Sequence, residues 1–156
     1  MILKRESRVF GKLVSLSKEL SIKSAKELDF FYSVEKKDSG GGLNAIFAIE
    51  FNITMPYLNS DRYCYFAGSR NVAGLNSRGT ISNMDSFGIM DSGKEFGVNF
   101  IFSAIPTEVW YFPVETVSQS ERSYELNYQC SCIVPVWRLD FSKNKNWHFG
   151  IRWGII

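Results

Sequence analysis

The C-terminal stretch constrains the fold more than any other part of the chain. Trp147, Phe149, Ile151, Trp153 and Ile155 alternate there with His148, Gly150, Arg152 and Gly154. Successive side chains of a strand leave the pleat on opposite sides, so a period of two marks a strand with one buried face. The pattern recurs at Phe47, Ile49, Phe51 and Ile53, with Ala48, Glu50 and Asn52 between them, and again at Phe96, Val98, Phe100 and Phe102. A helical period is nowhere sustained. Shorter strands are expected at 8–16, 28–36, 62–67, 87–90, 108–112, 124–133 and 136–141.

Punctuation between these runs agrees. Asp38-Ser39-Gly40-Gly41-Gly42 reads as a turn, because glycine adopts positive φ cheaply. Residues 55–61 end one strand and begin a turn, and 68–85, rich in Gly, Ser and Asn, read as a long loop. Roughly ten short strands separated by turns indicate a sandwich or barrel. No internal repeat and no linker divides the 156 residues, so one all-β, antiparallel sandwich over 1–156 is expected. The first strand begins within ten residues of the start with nothing before it to cover its edge. That edge suggests the C-terminal portion of a longer protein, whose upstream segment packs there.

The aromatic content, 13 Phe, 7 Tyr and 4 Trp, suits a sheet core and also supplies flat faces for sugar rings. A net charge of +2 with scattered basic residues offers no stripe for nucleic acid. No run approaches the ~18 apolar residues of a membrane helix, and the N-terminus lacks the apolar core of a signal peptide. Cys64, Cys130 and Cys132 with one histidine are too few for a zinc site, and no calcium loop is present. Buried free thiols in a reducing, cytoplasmic compartment are expected, with no cofactor or metal. The sequon at Asn52-Ile53-Thr54 falls inside a strand pattern and is discounted.

Residues 110–137 carry the functional information. Glu115, Thr116, Ser118, Gln119, Ser120 and Glu121 crowd polar side chains between aromatic-rich strands. The run is rich in groups that both donate and accept hydrogen bonds, as sugar hydroxyls require. A solvated or structural loop and a polar binding site both fit that run. Phe112-Pro113-Val114-Glu115-Thr116-Val117-Ser118-Gln119-Ser120-Glu121, followed by Tyr124-Glu125, Tyr128-Gln129 and Trp137, resembles the C-terminal domain of glycoside hydrolase family 57 α-amylases and 4-α-glucanotransferases. Phe47-Ala48-Ile49-Glu50-Phe51-Asn52 resembles a strand of that domain, and Asp91 an acidic position ahead of its next strand. The likeness spans roughly 45–140. It departs from the family at Arg122-Ser123, where glycines are common.

The resemblance implies a galactose-mutarotase-like supersandwich beside a separate catalytic (β/α) barrel, in cis or in trans. The catalytic carboxylates of the family belong to that barrel, so no catalytic residue is expected here. The expected function is support of the barrel and binding of α-1,4-glucan or maltooligosaccharide. Trp110, Tyr111 or Trp137 would stack on sugar rings, with Glu115, Thr116, Ser118, Gln119, Glu121, Glu125 and Gln129 as polar contacts. Hydrolysis by the chain itself is disfavoured, since Glu121 and Glu125 on one strand face would stand about 13 Å apart, beyond either glycosidase geometry. A mutarotase-type enzyme needs an acid and a base at the ring, and the chain offers one histidine, His148. A purely structural interaction domain is the remaining alternative.

Overall fold

Period-two alternation becomes thirteen strands among the described residues, which are 1–56, 62–93, 96–119 and 123–156 of the computed structural model. In chain order they are β1 Ile2–Val9, β2 Lys12–Ser24, β3 Glu27–Lys36, β4 Asn44–Ala48, β5 Phe51–Ile53, β6 Tyr63–Ala67 and β7 Arg70–Gly74. The rest are β8 Gly79–Ile81, β9 Ser86–Asp91, β10 Gly97–Phe102, β11 Glu108–Gln119, β12 Tyr124–Asp140 and β13 Asn146–Ile155. A larger sheet runs β1-β2-β3-β13-β10-β9-β6-β7, and a smaller one β4-β12-β11-β8 with β5 also on β12. Every pairing is antiparallel.

The core lies between the two inner faces. From the larger sheet come Tyr32, Val34, Tyr65, Phe87, Ile89, Phe100, Phe149 and Ile151, and from the smaller Val109, Tyr111, Ile133, Trp137 and Leu139. Aromatic rings bridge the sheets: Phe51 meets Phe100 at 4.5 Å between centroids, Tyr111 meets Tyr65 at 4.7 Å, and Trp137 meets Phe149 at 4.7 Å. Offset and edge-to-face contacts of this kind add about 0.5–1.5 kcal/mol each beyond the area they bury.

Three segments fold differently from the sequence pattern. Residues 8–16 contain a turn rather than one strand: β1 and β2 form a hairpin closed by Phe10 and Gly11, both at positive φ (49° and 76°). Two positive-φ residues match the twist of a tight hairpin, and glycine is suited to that conformation where Phe10 is not. The stretch 68–85 holds β7 and β8, so its polar composition reflects short edge strands rather than a loop. The runs 124–133 and 136–141 fuse into β12, which carries Pro135 through its middle.

Pro135 also explains why the alternation at 47–53 splits into β4 and β5. The register is unbroken, with Ala48 opposite Val136 and Phe51 opposite Ile133. At the missing rung the Ile49 amide donates to the Pro135 carbonyl at 3.2 Å, and proline has no N–H to return the bond. Ile49 still points inward and is buried, so the core pattern survives the broken ladder.

Candidate functional site

The polar run at 115–119 is not a loop. It continues β11 and pairs with the start of β12, with Thr116 opposite Asn127, Val117 opposite Leu126 and Gln119 opposite Tyr124. Between Val114–Cys130 and Glu115–Tyr128 the register shifts by one, which leaves Gln129 as a bulge on β12. The bulge is tied down: its carbonyl accepts from Thr54 Oγ1 at 3.0 Å, and its Nε2 donates to Thr116 Oγ1 at 3.1 Å. One rung further, Asn127 Nδ2 donates to Ser118 Oγ at 2.6 Å.

Strand parity then divides the sequence-predicted residues. Trp110, Thr116, Ser118, Glu125 and Gln129 share the outer face of the smaller sheet, while Glu115 and Gln119 belong to the opposite face of the ribbon. Trp110 is half-buried, packed with Phe112 and Val114 against Cys132, Val134 and Val136. Trp137 faces the core at 5% exposure, donating Nε1–H to the Ala104 carbonyl at 3.0 Å, and is not available to stack on a sugar. Tyr111 is likewise buried inside. Glu121, with Ser120, lies outside the described residues.

Chemically, the ribbon is amphipathic. Thr116, Ser118, Asn127 and Gln129 satisfy one another across the strands. On the other face Val117, Tyr124 and Leu126 are exposed, forming an apolar strip that runs out from the sandwich core. Its root is fixed by Tyr128, whose hydroxyl donates to the Ile53 carbonyl at 3.3 Å and lies 2.8 Å from Ser131 Oγ. Burial pushes the Tyr128 phenol above its ordinary pKa. Glu115 and Glu125 leave the ribbon on opposite faces, so these two carboxylates do not flank one glycosidic bond.

Asp91 sits at the end of β9 with 2% exposure, and both of its oxygens are bound: Gly93 N–H at 2.8 Å and the Arg62 guanidinium at 2.6 Å. It locks the end of β9 to the entry of β6. Asn52 of the sequon donates to Glu50 Oε1 at 2.7 Å from within β5.

A second polar surface, not foreseen from the sequence, lies on the outer face of the larger sheet around Gly150, lined in part by His148 and Phe31. The signal was the run Phe30-Phe31-Tyr32, in which strict alternation must turn one aromatic ring outward.

Two face-to-face antiparallel sheets of this order define a β-sandwich of the aldose-epimerase-like, galactose-mutarotase-like kind. A candidate aldose 1-epimerase of Escherichia coli K12 superposes with a TM-score of 0.61 at 10% identity, covering 99% of this chain and 64% of the other. A Synechocystis sp. PCC 6803 protein gives 0.60 at 8%, covering 99% and 60%. The 4-alpha-glucanotransferase of Thermococcus litoralis gives 0.67 at 17%, covering 98% of this chain and 20% of that one. The chain thus spans about one fifth of the glucanotransferase. The family model for the C-terminal region of alpha-amylase/4-alpha-glucanotransferase matches residues 1–151, and the chain belongs to that family. No curated protein sequence matches the chain significantly.

Proposed function

We propose that this sandwich is the non-catalytic C-terminal part of an α-glucan-processing enzyme of the glycoside hydrolase family 57 type, docked against a catalytic (β/α) barrel in the cytoplasm. The observation that carries this reading is the amphipathic ribbon. Val117, Tyr124 and Leu126 are 65%, 75% and 67% exposed, side by side on one face of paired strands. Contiguous exposed apolar surface marks an interaction site. The polar groups behind it are already satisfied, so the ribbon is stiffened for docking at little further entropic cost.

Family membership supplies the partner's class, and the three free cysteines fit a reducing compartment. The test is calorimetric titration of the purified chain into a (β/α) barrel of the same enzyme class. Saturable binding that is lost in the double variant V117D/L126D supports the proposal. Binding that survives those charges, or no binding at all, overturns it.

A further inference from the structure

The outer face of the larger sheet carries a hollow that the ribbon does not share. Its volume is about 310 Å³, at the lower end of the roughly 300–1,000 Å³ typical of small-molecule sites. Strand register places its walls. Ser17 of β2 pairs with Ser33 of β3, and Ser33 with His148 of β13. In the next row on the same face, Glu19 pairs with Phe31, and Phe31 with Gly150. Ser103, just past β10, closes the far side.

Gly150 creates the space. A Cβ at this position would stand 2.8 Å from Ser103 Oγ and 3.3 Å from Phe31 Cε1, so only glycine leaves the floor open. Phe31 lies beside it and is 49% exposed, which presents an aromatic ring to solvent. Around this ring the hydrogen-bonding groups are unspent. No described protein group bonds the side chains of Ser17, Glu19, Ser33 or His148, and Ser103 uses its oxygen to accept from Gly150 N–H at 2.7 Å while keeping its own proton to donate. The ribbon shows the reverse, with its hydroxyls and amides already paired.

The geometry points to a pyranose-binding groove here, with Phe31 as the stacking platform. The C–H face of a sugar ring is drawn to the negative face of an aromatic ring. Its hydroxyls need partners that donate and partners that accept, which serine, imidazole and carboxylate side chains supply together. Among the described residues no lysine or arginine lines this hollow, which suits a neutral ligand rather than a phosphate. A second hollow of about 170 Å³ adjoins it through Phe31, Ser103 and Gly150 and ends at the Asp29–Arg152 ion pair, 3.0 Å long. From His148 to Arg152 the strand advances about 13 Å, enough for more than one linked ring. The choice of α-1,4-linked glucose as the sugar rests on the proposed function; the fitness for a pyranose does not.

The test is a titration of the full chain with maltoheptaose and, in parallel, cellohexaose, followed by two-dimensional amide NMR. Saturable shifts are expected at residues 17–19, 31–33, 103 and 148–152. F31A should weaken binding roughly tenfold or more, and the exposed-site variants E19Q and H148A by roughly threefold to tenfold, with spectra otherwise unchanged. E19Q and H148A keep the test decisive if F31A fails to fold. Groove shifts with cellohexaose but not maltoheptaose would keep the site and reject α-glucan as its ligand. Shifts confined to 115–129, affinities untouched by all three variants, or no shifts with either sugar would overturn the groove.

Discussion

Asp91 accepts a hydrogen bond from Arg62 Nε at 2.6 Å and forms an ion pair with Arg62 Nη2, also at 2.6 Å, from a position with 2% exposure. The Gly93 amide, and after it Arg62, hold the Asp91 carboxyl below its usual range against the opposing effect of burial. A depressed folded pKa contributes stability that is complete above the unfolded value, about 3.9, and is lost as pH falls through the folded one. The melting temperature should therefore hold level on this account down to about pH 5 and drop as acid is added below pH 4. D91N should lower it at pH 7 and flatten the acid limb, as read by circular dichroism across pH 2–7.

Trp137 is the strongest single packing prediction. It touches Phe47, Phe102 and Phe149 and bonds the Ala104 carbonyl. W137A should cost about 3–5 kcal/mol in urea unfolding, and W137F about 1–3 kcal/mol, chiefly for the carbonyl left unpaired.

At the β1–β2 hairpin, Phe10 holds φ at 49° while 86% exposed, so its ring returns little for the strained backbone. Asparagine tolerates that conformation. F10N should raise stability by about 0.5–1 kcal/mol, measured by the same unfolding titration.

Thiol labelling should order the cysteines. Burial pushes the Cys132 thiol up to about 11, and burial followed by the nearby Glu50 carboxylate raises Cys130. Thiolate is the reacting form, so at pH 8 iodoacetamide should label Cys64 and Cys130 slowly and Cys132 only after denaturant is added. Mass spectrometry of timed samples checks the order; early labelling of Cys132 would contradict its burial at 2% exposure.

Much of the fold was legible locally. The alternations at 47–53, 96–102 and 147–155 place Phe100 and Ile151 in the core and Phe51 against it, as observed, whereas Phe96 precedes β10 and is exposed. Trp137 was readable too: it shares parity with Leu139 and Phe141, both buried, and that parity assigns it to the core rather than to a sugar. The polar run at 115–119 misled because composition reports what a side chain can bond, not which strand lies opposite. Hydrogen bonding to Asn127 and Gln129 turned an expected loop into a paired ribbon.

The sequence by itself determined which side chains face inward, because the pleat ties parity to neighbouring residues only. It also determined the family, through an ungapped polar string. Tertiary structure decided what lies across from what. Phe31 meets Gly150 because β3 pairs with β13 from the far end of the chain, and the hollow between them exists only in that register. Ile49 loses a rung because Pro135 happens to stand opposite. Those outcomes rest on pairings between distant segments, whose register is set by the whole packed sandwich and not by local pattern.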